Sequence, residues 1–198
     1  MGYFLAVSRP VQQRALGTRI AKRLFMGQAK QGSSDSAKAQ QNFLELLKKF
    51  DTAMLVTQTG AGGAPHARPM AVADTSEDGS VWFITGADSP KIDEIRADHE
   101  VVAAFSEGRR YLSVSGRAEI SRDRARIAQV WKESFEVWFH GKDDPNIVLL
   151  RLDPSEAEYW DNSGSQGIKY ALKFAAAYVS GEKLRGTDDV NTHGKVQL

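Results

Sequence analysis

Cysteine is absent from the 198 residues. Disulfides, thiolate catalysis and cysteine-ligated metal centres are thereby excluded. No apolar run approaches the ~20 residues that a membrane-crossing helix needs, so a membrane partner is not expected. Neither sign of charge dominates, because 26 Lys and Arg stand against 25 Asp and Glu. A whole-surface attraction to nucleic acid is therefore not indicated. His66, His99, His140 and His193 form no His-x-x-x-His pair of the kind that holds zinc. There is also no Gly-x-Ser-x-Gly elbow and no Walker loop. A cytoplasmic protein without a resident metal is the expectation.

The rest is ordinary for a globular chain: 41% hydrophobic and 26% charged residues. The length suits one domain with a proper core and some chain to spare. Residues 1–35 read as a basic extension. Arg14 to Lys30 carries five cations and no acidic residue, the profile of a targeting peptide or a basic amphipathic helix. The alternative is a disordered extension from a start codon placed too early, followed by the linker Gln31 to Ser36. The main domain spans residues 36–180, and residues 181–198 read as a loose polar tail.

Within the domain, Ser36 caps a helix over Ala37–Phe50 with a one-sided stripe of Phe43, Leu44, Leu46, Leu47 and Phe50. The period then changes. Ala53–Thr59 and Pro65–Ala73 read as strands joined by a glycine turn at Gly60–Gly63, a β-hairpin. Ser80–Thr85 is a third strand, rich in aromatic and β-branched residues. Ser89-Pro90 opens a short helix over Lys91–Ala97. Glu100–Phe105 is continuously apolar and so reads as buried on both faces. Tyr111–Ile120 follows, then a helix capped by Ser121 that contains Ile127, Val130 and Trp131. Phe135–Asn146 reads as irregular. Ile147–Trp160 holds a strand with a kink at Pro154, and Ile168–Tyr178 a last helix. Short links between strands favour antiparallel pairing, and closing such a sheet hides its edges. The fold class is mainly β with flanking helices: a six-stranded antiparallel split barrel.

Two places suit an anion. Arg68 sits in an otherwise apolar strand beside Pro69, which cannot donate to a ladder. It serves either an anion or a surface carboxylate at the rim. In Thr85–Lys91 a strand ends, a loop turns and a helix begins. The helix start carries partial positive charge and unpaired donors. Lys91 in the first turn opposes that dipole, which a phosphate would reconcile. The other reading is a capped surface helix with an incidental lysine. Phe83, Tyr111, Trp138, Phe139 and Trp160 are either walls for a flat ring or core and dimer contacts.

The succession Arg68-Pro-Met, Trp82-Phe-Ile-Thr, Ser89-Pro-Lys91, Val101-Val-Ala-Ala-Phe105 and Val114-Ser-Gly-Arg-Ala-Glu119 resembles the FMN-binding split barrels of the pyridoxamine 5′-phosphate oxidase kind. Trp138-Phe-x-Gly141, Asp144-Pro145, Leu149-Leu-Arg-Leu-x-Pro154 and Ala157-Glu-Tyr-Trp-Asp161 are similar to the general stress protein branch. The likeness spans roughly Ala37 to Ser180. It implies a homodimer with FMN at the subunit interface, or FAD, since the phosphate features suit both. By the same resemblance Arg68 meets the flavin, and Pro69 and Met70 continue under its ring. The resemblance also makes Thr85 a strand-end residue of the flavin site and Lys91 its phosphate-binding lysine, and lets Trp160 reach the flavin of the partner subunit; beside them, Phe83 and Ile84 of the third strand and the Ser89 hydroxyl are further candidates to line the site.

The sequence departs from the oxidases at three places. Pro90 replaces the arginine before the lysine, Tyr111 stands where they carry glutamine, and no C-terminal Arg-x-His element is present. Vitamin B6 oxidation is therefore disfavoured. The expected function is a flavin-binding stress protein with a weak flavin-dependent redox activity. A dedicated oxidoreductase, or a barrel without its cofactor, are the alternatives.

Overall fold

The computed structural model describes residues 36–60, 63–163 and 193–198. The chain separates into two compact units, Met1–Lys38 and Ala39–Leu198, and the second contains a closed barrel. The basic extension and the helix expected over Ile168–Tyr178 lie outside the described residues.

Helix α1 covers residues 36–47. Among the described residues seven strands follow: β1 (Thr52–Gln58), β2 (Pro65–Thr75), β3 (Val81–Gly86), β4 (Glu100–Glu107), β5 (Arg110–Ser121), β6 (Ile147–Asp161) and β7 (His193–Gln197). Helix α2 (Pro90–Ala97) lies between β3 and β4, and α3 (Arg124–Val130) with a 3₁₀ turn (Glu133–Val137) between β5 and β6. The sheet order is β3-β2-β1-β4-β5-β6-β7, and a further β3–β6 pairing closes six strands into a ring. Every pairing is antiparallel, as short connections favour.

The long strand β6 makes closure possible. Ile147–Leu152 pairs with β3, and Glu156–Trp160 pairs with β7 on the same edge. Pro154 falls between the two partners, where no ladder donor is needed. It opposes Gly116 at a register shift where β6 carries an extra residue, Ser155, between the partners of Ser115 and Gly116. A Cβ on Gly116 would meet the Asp153 carbonyl oxygen at 2.1 Å, so only glycine fits there. The expected kink is thus a change of partner within one continuous strand. Residues 193–197, read from their polarity as part of a loose tail, pair with β6 as β7; Val196 alone turns into the core, 4% exposed.

The inner face follows strand alternation. Leu55, Ala103, Phe105, Leu112 and Val114 point inward and meet Phe43 and Leu47 of α1 and Ile92 and Ile95 of α2. Full burial of each large side chain contributes about 1.5–3 kcal/mol. A second core lies outside the barrel, where Ile127, Val130, Phe135 and Phe139 cover Ala73, Ile84, Ile147 and Leu149. The strands covered on both faces are therefore β3 and the start of β6, not Glu100–Phe105. In β4 burial alternates, with Val102 half-buried and Ala104 exposed. Apolar composition alone does not reveal whether a second layer exists.

Helix α3 also differs from expectation. Ser121 ends β5, and Asp123 is the cap, its carboxylate accepting from the amides of Ala125 (2.9 Å) and Arg126 (3.2 Å).

Candidate functional site

A cleft of about 630 Å³ opens where β2, the end of β3 and the start of α2 converge. Pro69, Met70, Ile84, Trp138 and Phe139 form its apolar walls, and Thr85, Gly86, Asp88, Ser89, Lys91 and Asn146 its polar end. The walls follow from strand chemistry: β2 and β3 are paired, and the 3₁₀ turn lays Phe139 over their outer side. Trp138 remains 64% exposed, so the cleft has an apolar lip without a cover from the described chain.

Lys91 occupies the polar end and is only 9% exposed. Its ammonium donates to Thr85 Oγ1 at 2.9 Å and Ser89 Oγ at 2.5 Å. Among the described residues no carboxylate forms an ion pair with it. Burial pushes its pKa down, and the charge of Arg68 pushes the same way; Glu94 and Asp88 act in the opposite sense. Burying an ammonium against two neutral hydroxyls is unfavourable unless an anion joins them. Ser89 precedes α2 but makes no side-chain cap bond to it. Its hydroxyl is spent on Lys91 instead.

The β3–α2 loop is held from below by Asn146. The Ala87 amide donates to the Asn146 carbonyl at 2.7 Å and its side-chain oxygen at 3.1 Å. Asn146 Nδ2 donates to Asp88 Oδ1 at 3.0 Å. These contacts span some 60 residues of chain, and neither Asn146 nor Asp88 stood out in the sequence. The one available signal was the Asp144-Pro145 turn directly before β6.

Arg68 does not line the cleft. Its guanidinium donates to Glu94 Oε2 at 2.6 Å, Glu94 Oε1 at 3.2 Å and Thr57 Oγ1 at 2.8 Å. The Arg68 contact holds the Glu94 carboxyl down to about 2 against the opposing effect of burial, with help from Thr57. Phe83 is fully buried in the barrel core, because its neighbours Trp82 and Ile84 take the outer face. Tyr111 and Trp160 pair across β5 and β6 on the outer surface, outside the cleft. Trp160 stacks on His193, with 5.3 Å between ring centroids and 9° between planes. The structure thus brings together Pro69, Met70, Ile84, Thr85, Ser89 and Lys91, and leaves Arg68, Phe83, Tyr111 and Trp160 elsewhere. Among the described residues no group of His, Asp or Glu is arranged to hold a metal ion, and no helix is long and apolar enough to cross a membrane.

The family model for pyridoxamine 5′-phosphate oxidase like proteins matches residues 38–185. The chain belongs to this oxidase-like family. General stress protein 26 of Bacillus subtilis is 30% identical over 123 residues, 59% of this chain and 84% of that protein. The structure of a general stress FMN/FAD binding protein from Xanthomonas citri is 34% identical, covers 65% of this chain and 92% of that one, and superposes with a TM-score of 0.55. That of General Stress Protein 26 from Bacillus anthracis, 24% identical over 61% of this chain and 92% of that one with a TM-score of 0.55, shares the fold. Within the oxidase-like family the chain sits in the general stress protein branch, and its barrel is the split barrel of these proteins.

Proposed function

We propose that this chain is a flavin-binding stress protein whose cleft takes FMN. The observation that carries the reading is the buried Lys91 ammonium at the polar end of the cleft, which donates to two hydroxyls and, among the described residues, forms no ion pair with a carboxylate. Thr85, Ser89 and Lys91 would hold the phosphate at the start of α2, where the helix dipole adds to the attraction. Pro69, Met70, Ile84 and Phe139 would supply the apolar slot for the ring. The family match and the Xanthomonas citri relative, which binds FMN or FAD, support a flavin. Bound flavin would supply reversible electron and hydride acceptance, and with it a weak redox activity toward reduced nicotinamide.

The same reading assigns a second copy of the chain to the side of the barrel that no described element covers. Met54, Val56, Pro69, Val102, Ala104 and Tyr111 share the outer face of β2, β1, β4 and β5. Met54 is 41% and Tyr111 45% exposed. Pro69 belongs to both this face and the cleft, so a partner seated on the face would also cover the site. A contiguous apolar face is the usual mark of an interface.

Purification of the full chain, its visible absorbance spectrum and mass spectrometry of the released ligand test the proposal. Yellow protein that releases FMN supports it. Protein that takes up no flavin at micromolar concentration refutes it.

A further inference from the structure

We propose that Thr57, Arg68 and Glu94 form a clamp that sets the position of Lys91 in the cleft, with Arg68 acting through Glu94 and not on a bound phosphate. The inference rests on the proposed phosphate site and names the positioning residues of that site.

The clamp joins three elements. Thr57 lies on β1, Arg68 on β2 and Glu94 on α2, one turn after Lys91. Thr57 is 1% exposed and has a single hydroxyl proton, which it gives to Glu94 Oε2 at 2.5 Å. Its oxygen accepts from Arg68. Arg68 then reaches both oxygens of Glu94, the two-pronged geometry that a guanidinium prefers with a carboxylate. The three contacts close a ring at the end of the barrel, on the inward-facing sides of β1 and β2.

Helix α2 needs such a hold. It has eight residues and no side-chain cap, so it is too short to persist by itself. Ile92 and Ile95 bury its apolar side, but apolar contacts resist sliding poorly. Glu94 supplies a directional anchor, and one turn of helix transmits that anchor to Lys91. The clamp also controls charge. Arg68 acts against the charged form of Lys91, and Glu94 offsets it. Without the carboxylate, the guanidinium would be free to move and would bear fully on the ammonium.

Two readouts on the full-length protein decide the matter, and one needs no flavin. The first is the rate at which an amine-reactive acylating reagent labels Lys91, followed by mass spectrometry. Glu94→Gln keeps the shape and removes the charge. Lys91 should be labelled about tenfold faster in it, as the lost charge-assisted contacts release α2. The second is FMN affinity. Removing a negative charge near a phosphate site should tighten binding on electrostatic grounds alone, whereas loss of the clamp weakens it, by about tenfold. Thr57→Val should move both readouts in the same direction by roughly threefold, and Thr57→Ser should restore them. It also carries the test if the glutamine variant fails to fold. Labelling that stays within roughly twofold of wild type, or tighter FMN binding in Glu94→Gln, overturns the clamp. A wild-type protein that binds no FMN instead refutes the proposed function, while the labelling result still decides the clamp.

Discussion

The Lys91 ammonium donates to Thr85 Oγ1 at 2.9 Å, tying the first turn of α2 to the C-terminal end of β3. Both groups line the cleft, and neither neutralises the other. Lys91→Ala should therefore weaken FMN binding by ~1.5–3 kcal/mol, the range for a charge-assisted phosphate contact. Fluorescence titration measures this directly. An unchanged dissociation constant would remove Lys91 from the site.

The same lysine should be a poor choice for the empty protein. Lys91→Met replaces a buried ammonium by an apolar chain of similar length. Its flavin-free melting temperature should hold or rise, by up to ~1 kcal/mol in stability, even as affinity falls. A large loss of stability would mean that the lysine serves the fold.

Acid stability should report on Glu94. Its folded pKa, about 2, lies below the ordinary 4.5. A depressed carboxyl stabilises the folded state above the unfolded value, and that contribution fades as pH falls from 4.5 towards about 2. Denaturation of wild type and Glu94→Gln across that window should show a stability gap that is widest near neutrality and closes on acidification. Asp78, also lowered, mainly by hydrogen bonds from Ser80, leaves part of the acid limb in both proteins. A gap independent of pH would contradict the assignment.

Met54 stands in the middle of the bare outer face, opposite Pro69 on one side and Ala104 on the other. Met54→Glu places a charge there without touching the core. It should convert a dimer to monomer in sedimentation, weakening association by at least ~10-fold, and should lower flavin uptake with it. A monomeric wild type, or a variant that remains dimeric, would exclude this face as the interface.

Helix α3 offers a comparison internal to the fold. Asp123→Ala removes a carboxylate that accepts two amides and should cost ~1 kcal/mol. Ser121→Ala removes one long contact, 3.3 Å to the Asp123 amide, and should cost no more than a few tenths. Chemical denaturation of the two variants gives the order, and the reverse order would place the cap at Ser121.

Local chemistry made much of this protein legible in advance. Alternation in Ala53–Thr59, the glycine turn and Ser89-Pro90 are short-range signals, so β1, β2 and α2 could be read within a residue or two. Lys91, Thr85 and Ser89 were readable as a group because one loop of seven residues carries them. Only the folded barrel decided the rest. Arg68 could serve either an anion or a rim carboxylate, and only the fold decided for the carboxylate, because its acceptors come from Thr57, 11 residues away, and Glu94, 26 residues away. Glu100–Phe105 looked doubly buried, but whether a strand gains a second layer depends on where α3 packs, which no run of six residues encodes. Residues 193–197 looked like tail because their partner edge on β6 is some 35 residues distant. Turns, caps and periods are properties of neighbouring residues, whereas partners and layers arise from chain closure, and closure is a property of the whole sheet.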